Sequence, residues 1–433
     1  MANVKISDLP TGTALASADV IPVTQSGVTK KFAASTILSS SLFTQESSGG
    51  AAVTLQADLQ SYQLIPAKRF GIAIGGTDQT TKVSSALASG ENISFPRGVI
   101  GLDGDAALTI PVTRPGQKLI GAGTTDVTTY PTRGTVFKRL SGTGPMLTIA
   151  TYTEGIEIAG ICFDQNSLGG NAIKTGMHKG WLHDLVIHNQ GGTSYGILET
   201  GVNLSTTDRI TFSGTCYGGI LLDNTAAIGY GALYSSLNQI VFTQASAALS
   251  QYGISAALSK GLTIGDFYVQ GGKGIYLNND IIDININNLC GEMDAANELL
   301  VVDASTGAAI IGVFVRGGSV SQVTTSAGAV GFFRLTSAIN MNVDGFRISD
   351  AVSAANRPYF LLNGVLGGSI KDVVVNNTSG NAHYCVSSTG TRSDQMVLDQ
   401  IYTQGAGTVT NNVTLGGSTV SNSHVPLAFA AAS

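Results

Sequence analysis

The feature that most constrains this chain is a short pattern, apolar-x-apolar-x-x-apolar-x-apolar, which returns along most of its length. It occurs in GIEIAGICFD (155–164), in GLTIGDFYVQ (261–270) and in INMNVDGFRIS (339–349). Self-similarity at a period of 20–50 residues indicates a solenoid. The third apolar position can be followed, at steps of 22 to 33 residues, through Ile161, Leu185, Ile210, Ile240, Phe267, Leu289, Val313, Phe346, Val373 and Ile401.

A second series of short apolar-x-apolar segments lies between the copies of the first. Its members start at Ile197, Ile220, Ile275, Leu300, Phe333 and Phe360. Such alternation is typical of strands with one buried face. Two or three strands per repeat are too few for a propeller blade, and the leucine spacing of a horseshoe is missing. The sequence therefore predicts an all-β fold, a right-handed single-stranded parallel β-helix, whose coils must stack to bury their apolar faces.

Composition agrees with many short strands and tight turns. The chain has 433 residues with 55 Gly, only 10 Pro and 12% charged residues, while 43% are hydrophobic, which excludes a disordered chain. The net charge is −5, and Lys30-Lys31 and Lys138-Arg139 are the longest basic runs, so we expect no nucleic-acid partner. The sequence has neither an apolar run of about 20 residues nor a signal-peptide core, which predicts no membrane insertion and no secretion.

The four cysteines give no sign of a metal or a disulfide framework. Cys162, Cys216, Cys290 and Cys385 lie far apart, without a CxxC or Cys/His cluster. Several adjoin apolar strand positions, so we expect buried free thiols. We predict neither a cofactor nor a metal site.

Residues 1–45 differ from the repeats. Asp19–Thr24 and Val28–Phe32 predict a hairpin around Gly27, and Ala33–Leu42 a short helix with Ser35 as its N-cap. A piece of this size buries little surface alone, so it should need a partner or a trimer. Glu46–Gly50 predicts a linker, within a neck over residues 46–70.

The string KISDLPTGTALASADVIPVTQSGVTKKFAASTIL resembles the N-terminal virion-anchoring segment of bacteriophage tail fibres and tailspikes. The three parts of that family pattern are present at Ile6–Pro10, Asp19–Val23 and Thr29–Phe32. The resemblance implies a homotrimer in the virion tail, attached through residues 1–45 to other tail or baseplate proteins. It also implies host attachment by binding a bacterial surface polysaccharide.

A further stretch is similar to the start of pectate-lyase-like β-helix domains. It comprises Gly75–Asp78, a helical Lys82–Leu87, and the I-x-F-P-x-G strand Ile93–Gly98. In that family the helix covers the open end of the first coil, and an exposed apolar cross-section needs such a cover. The acidic opening of the family is kept only at Asp78. We therefore assign the β-helix to residues 71–420, followed by a C-terminal tail over 421–433 that closes the last coil or packs between subunits.

Most acidic residues recur in register and predict turn ladders. Asp184, Asp266 and Asp372 precede the third apolar position, where Asp stabilises turns. Another ladder follows the second strand at Asp223, Asn278, Asp303 and Asn363.

Glu199 differs, because it occupies the inward position that Leu222 and Leu277 take in later repeats. A buried Glu has a raised pKa, the property of a general acid, and Asp223 is its candidate catalytic partner. Alternatively, the strand ends one residue early and Glu199 lies in solvent.

Aromatic residues concentrate in the middle third of the chain. Such rings stack on sugars but also fill cores and trimer interfaces. His178, His183 and His188 alternate faces of a strand, so we expect solvated or turn positions for them rather than a metal site. The candidate glycan-binding residues are Trp181, Tyr195, Tyr217, Tyr252 and Tyr276.

Two functions are favoured by the sequence, and a third, a bacterial secreted adhesin or lyase, is disfavoured because a signal-peptide core is missing. The chain is a tailspike or tail fibre that binds a bacterial polysaccharide, with or without depolymerase activity as a hydrolase or lyase. Alternatively, it is a non-enzymatic structural tail component, a rigid spacer or a platform for another receptor-binding protein.

Overall fold

The computed structural model describes residues 20–25, 28–33 and 64–428. Within the last range, short internal segments are excluded: 106–107, 125–133, 193, 224–231, 244–250, 295–296, 306–308, 324–330, 354–356, 392, 406–408, 413–414, 417–418 and 422–426. The chain divides into two compact units, Met1–Ile65 and Pro66–Ser433.

The first unit contains the predicted hairpin. Val20–Gln25 pairs antiparallel with Val28–Ala33 in one continuous register. The predicted helix Ala33–Leu42 starts at a residue that lies in the second of these strands. The rest of that helix, Ser35 and the predicted linker Glu46–Gly50 lie outside the described residues.

The second unit is a parallel β-helix, as predicted. Each coil contributes to two sheets, and strands pair with those of the neighbouring coils. The larger sheet has 21 strands: Ile65–Pro66, Ile93–Ser94, Gly98–Asp103, Lys118–Ile120, Thr135–Ser141, Glu157–Ala159, Ile161–Asp164, Trp181–His188, Val202–Asn203, Thr206–Ser213, Ala232–Leu233, Ser236–Thr243, Ser259–Lys260, Thr263–Gln270, Ile281–Met293, Ile310–Gln322, Ile339–Asp350, Leu366–Asn377, Ser393–Gln404, Leu415–Gly416 and Thr419–Ser421.

The smaller sheet has 13 strands and contains the second predicted series. Its members are Thr109–Ile110, Leu147–Ile149, Ile173–Thr175, Tyr195–Thr200, Gly218–Asp223, Tyr252–Ala257, Lys273–Asn278, Leu300–Asp303, Phe333–Thr336, Pro358–Asn363, His383–Ser388, Val409–Asn412 and Leu427–Ala428. The last strand pairs in parallel with Val409–Asn412, so the described part of the predicted C-terminal tail adds to the last coil.

The third apolar position forms one inward column, with one correction. Leu185, Ile210, Ile240, Phe267 and Leu289 follow each other in register. The residue opposite Leu289 is Gly318, whereas Val313 pairs with Ile284, so the assignment of Val313 to this column was wrong. Glycine fits there because a Cβ would lie 2.1 Å from the carbonyl oxygen of Leu289 and 2.8 Å from the ring of Phe346.

Two columns of residues with positive φ bend ten successive coils across the larger sheet. The two corners lie five residues apart in each of ten successive coils. Gly, Asn and Asp adopt this left-handed conformation at the lowest cost, so the predicted Asp ladder at Asp184, Asp266 and Asp372 is a corner column. The corner pairs are 155/160, 179/184, 204/209, 234/239, 261/266, 283/288, 312/317, 340/345, 367/372 and 395/400.

The predicted helix covers the first coil. It spans Thr80–Ser89 and buries Val83, Ala86 and Leu87. Asp78 accepts hydrogen bonds from the backbone N–H (2.9 Å) and hydroxyl (2.5 Å) of Thr80, which together hold the pKa of the Asp78 carboxyl below its usual value. The one acidic residue of the family opening that is kept therefore starts this helix. A short 3-10 helix, Ala67–Phe70, precedes it.

All four cysteines are free, and three are buried, as expected; Cys290 is half-exposed. Within the described ranges, no helix has the length and apolarity needed to cross a bilayer.

Candidate functional site

A groove of about 760 Å³ runs along the larger sheet between the two corner columns. Between its two corners each coil has four residues, and the side chains of the second and fourth of these point outwards. The groove is lined by Lys179, Gly180, Trp181, Leu204, Thr206, Asp208, Ser236, Leu237, Asn238, Thr263, Gly265, Asp266 and Asn287. We call it the Trp181 groove.

The floor of the groove consists of two columns in register. One contains Trp181, Thr206, Ser236, Thr263 and Asn285, and the other His183, Asp208, Asn238, Gly265 and Asn287. Neighbouring strands lie about 4.8 Å apart, so hydroxyl and amide groups recur at that interval along the groove. Such a ladder offers repeated donors and acceptors to an extended polymer with a short repeat.

Trp181 stands at the N-terminal end of the groove. Its indole stacks on the imidazole of His183, with ring centroids 3.7 Å apart and an angle of 28° between the planes. The guanidinium of Arg209 lies 6.0 Å from the indole centroid. Because Trp181 remains 40% exposed, these neighbours hold the ring while leaving area for an apolar or sugar face to stack on.

The residues behind Trp181 form a chain of polar contacts across four coils. Lys118 contacts Glu157 (2.7 Å), whose other oxygen lies 3.3 Å from Nε2 of His183, and Nδ1 of His183 lies 2.7 Å from Asp184. The chain continues through Arg209 to the groove.

Arg209 joins two carboxylates. Its Nε and Nη2 donate to the two oxygens of Asp184 at 2.6 and 2.9 Å, and Nη1 contacts Asp208. The hydrogen bonds from Arg209 lower the pKa of Asp184 to about 2 despite partial desolvation. Asp208 also accepts a hydrogen bond from the amide of Asn238 at 3.2 Å. These contacts tie the corner column to the floor.

Glu199 is buried inside the coil, so the alternative of a solvent position is wrong. Its carboxyl is 2% exposed, and it lies in register between Thr175 and Leu222. Thr207, from the opposite wall, donates a hydrogen bond of 2.7 Å to Oε1. Burial raises the pKa of Glu199 to about 7, which exceeds the lowering effect of that hydrogen bond. The expected rise in pKa is present, but the carboxyl lies within the core rather than in a cleft.

Asp223 is not placed to act with Glu199. It pairs with Thr200, and neighbouring residues on a strand point to opposite faces. Leu222, inward, takes the place opposite Glu199. Asp223, half-buried, belongs instead to the predicted turn ladder with Asn278, Asp303 and Asn363. The structure therefore does not assemble the predicted carboxylate pair.

Three candidate tyrosines lie on the outer face of the smaller sheet, away from Trp181. The rings of Tyr252 and Tyr276 stack with centroids 4.9 Å apart, and the hydroxyl of Tyr252 donates to Glu298 at 3.0 Å. Tyr195 lies over Gly218, where a Cβ would come within 2.8 Å of its ring. These rings connect successive coils.

The fourth tyrosine, Tyr217, is half-buried, and its backbone N–H donates to Gln190 at 3.2 Å. Trp181 is therefore the candidate aromatic residue that lies in the groove.

The histidines are less exposed than expected. His183 and His188 are buried, and His188 contacts Ser213 at 3.3 Å, so the solvated position was wrong for both. His178 is half-buried, and desolvation lowers its pKa. In the described part of the chain, no group of three His, Cys, Asp or Glu has the geometry to hold a metal ion.

Sequence reasoning missed most of the groove. Asp266 was assigned to a turn ladder without a groove, and Asp208, Asn238 and Asn287 were not proposed as site residues, although each of the four lies at or next to a corner. Asp208, Asn238 and Asn287 are each the fourth residue after the first corner of their coil, and Asp266 is itself a second corner. These recurring positions in the repeat could have identified them from the sequence.

Comparison of the structure with known proteins shows where this fold recurs. No family model matches the chain, and no curated protein matches its sequence. The Dettilon tailspike protein superposes with a TM-score of 0.54 at 12% identity, covering 82% of this chain and 71% of the tailspike. This chain has the parallel β-helix fold.

Two further structures share the fold. The A-module of the Azotobacter vinelandii mannuronan C-5 epimerase AlgE6 has a TM-score of 0.54 at 13% identity, covering 82% of this chain and 98% of the module. The Streptococcus pneumoniae surface protein and adhesin PfbA has a TM-score of 0.53 at 9% identity, covering 82% and 100%. At these identities the β-helix itself is what the proteins have in common.

Proposed function

We propose that this chain is a bacteriophage tail protein that attaches to the host by binding a surface polysaccharide in the Trp181 groove. The observation that carries the proposal is the combination of an exposed indole with a ladder of hydroxyl and amide side chains along successive coils. Polymers present repeated hydroxyl groups and apolar ring faces, which this surface complements.

The N-terminal resemblance and the fold support this proposal from separate parts of the chain. Residues 1–45 resemble virion-anchoring segments, and the described residues between 66 and 428 form a β-helix, the fold that the Dettilon tailspike protein also has. We propose that residues 1–45 attach the protein to another tail or baseplate protein, and that the virion tail is its location.

The groove favours binding over cleavage. Glycoside hydrolysis needs a protonated carboxylic acid beside the scissile bond. Glu199 has a pKa raised to about 7 but lies inside the coil, whereas Asp184, at the groove margin, has its pKa lowered to about 2. The two carboxylates of the lining are both engaged by donors: Asp208 by Arg209 and Asn238, and Asp266 by Asn288. We therefore propose adhesion. An assay for new reducing ends, or for unsaturated ends, after incubation with host polysaccharide tests this: release of either kind would establish a depolymerase.

The binding proposal is tested by Trp181→Ala. We expect about a tenfold loss of affinity for the host polysaccharide, since stacking contributes on the order of 1 kcal/mol. Tyr402→Ala is the matched control, because Tyr402 is 41% exposed and lies far along the helix. Equal affinity of wild type and Trp181→Ala would place the glycan elsewhere.

A second observation favours a protein partner. Ile311, Ile339 and Leu366 stack in register on successive coils, and they are 37, 39 and 45% exposed. Contiguous exposed apolar side chains mark interaction surfaces. We propose that this ladder contributes to a homotrimer; a platform for another tail protein is the alternative use.

Light scattering on the full chain separates these uses. We expect a trimer for the wild type and a smaller species for Ile339→Asp, with Thr206→Asp as a control on the same sheet. A monomeric wild-type protein that binds a purified tail protein through this ladder would favour the platform.

A further inference from the structure

The charges around the Trp181 groove indicate which class of glycan it accepts, provided that the proposed binding function holds. Lys179 lines the groove, and Arg209 contacts the lining residue Asp208. Lys179 lies 3.6 Å from Glu154, and Arg209 is engaged by Asp184 and Asp208 together. Neither cation is therefore left to neutralise an acidic ligand.

The acidic groups exceed the basic ones. Asp266 lies on the groove wall and accepts a hydrogen bond of 2.7 Å from the amide of Asn288. Behind the wall, Lys118 forms an ion pair with Glu157. Among the residues that line the groove, the single cation Lys179 stands against the two carboxylates Asp208 and Asp266.

We infer that the Trp181 groove takes a glycan segment without acidic groups, lying along the helix axis with one sugar ring against Trp181. A uronate, sulfate or phosphate beside Asp208 and Asp266 would meet like charges at short range, which oppose binding, and Lys179, the cation of the lining, is already paired with Glu154. Arg316, which follows Asn287 in the floor column, lies one coil beyond the lining. Uncharged sugars meet donors and acceptors at every coil: Thr206, Ser236, Asn238, Thr263 and Asn287.

A glycan array carrying both neutral bacterial glycans and uronate-, sialate- or phosphate-bearing ones tests the inference with the full chain. We expect the bound glycans to be neutral, and their signal to fall in Trp181→Ala. Acidic glycans whose signal depends on Trp181 would overturn the charge inference while supporting the binding proposal. A set of bound glycans unaffected by Trp181→Ala, or no bound glycan, would overturn both.

Asp266→Asn sharpens the test, because asparagine also adopts the left-handed conformation of this corner. Removing one carboxylate should raise binding of acidic glycans about two- to fivefold in low salt and leave neutral glycans unchanged. The matched control is Asp372→Asn, at the same corner four coils further on. An identical response of both variants would contradict a role for groove charge.

Discussion

Thr207 donates a hydrogen bond of 2.7 Å to the carboxyl of Glu199 across the interior of the β-helix. The two residues come from different sheets of the same coil, and each replaces an apolar residue in its column: Leu182 and Leu237 flank Thr207 in register. A polar pair in a dry core is tolerated because each partner satisfies the other. This contact explains how the chain accommodates an acidic residue that breaks the inward apolar pattern of the smaller sheet.

Glu199 should make stability depend on pH. Its pKa rises from 4.5 to about 7 on folding, so the folded state holds a proton that the unfolded state releases. The contribution of Glu199 to the free energy of unfolding is therefore greatest below about pH 4.5 and falls as the pH rises to 7. The difference is on the order of 3 kcal/mol.

Denaturation of wild type and Glu199→Gln at pH 5 and pH 8 measures this effect. The wild type should lose more stability between the two pH values than the variant, which carries no titrating group at residue 199. Parallel pH profiles would show that Glu199 does not titrate in this range.

Thr207→Val should destabilise the protein by about 1–3 kcal/mol, because it leaves the buried carboxyl of Glu199 without its donor. Adding Glu199→Leu should recover most of that loss, since the pair then becomes apolar like its neighbours. Urea denaturation of both single variants and the double variant gives the coupling energy. Thr206→Val, whose side chain points outwards, is the control; additive effects would argue against the contact.

Gly318→Ala should cost about 2 kcal/mol or more. Its φ of 133° is unfavourable for alanine, and the new Cβ would lie 2.1 Å from the carbonyl oxygen of Leu289. Gly317→Asn is the control, because residue 317 has a φ of 68° and a Cβ added there would meet nothing within 4 Å. Thermal unfolding should separate the two variants clearly; similar melting temperatures would refute the steric argument.

Gly265→Gln should block the Trp181 groove without disturbing the core. A Cβ at Gly265 would meet Oδ1 of Asn238 at 2.5 Å, an atom at the end of a side chain that can move outwards. We expect glycan affinity to fall about tenfold, with unchanged unfolding. Lys371→Gln, in the same outward column four coils further on, serves as control. Full affinity in Gly265→Gln would exclude this part of the groove.

Prediction from sequence succeeded where the information was local. Alternation identified the strands, and the inward place of Glu199 followed from comparison with Leu222 and Leu277. The predicted pairing of Glu199 with Asp223 was wrong by one residue, because Glu199 lies opposite Leu222. A shift of one residue along a strand moves the side chain to the other face of the sheet. Val313 was misassigned for a related reason: the true member of the column is a glycine, which an apolar pattern cannot detect.

The sequence by itself determined the coil. A repeated apolar pattern buries its apolar side chains when the coils stack around one continuous core. Only the tertiary structure decided which polar residues meet on the outside. The length of each coil varies, so the residue that lies above another is set by loop lengths and corner positions rather than by spacing in the chain. Asp208 and Asp266 therefore share a groove, while Glu199 and Asp223 point to opposite sides of one wall.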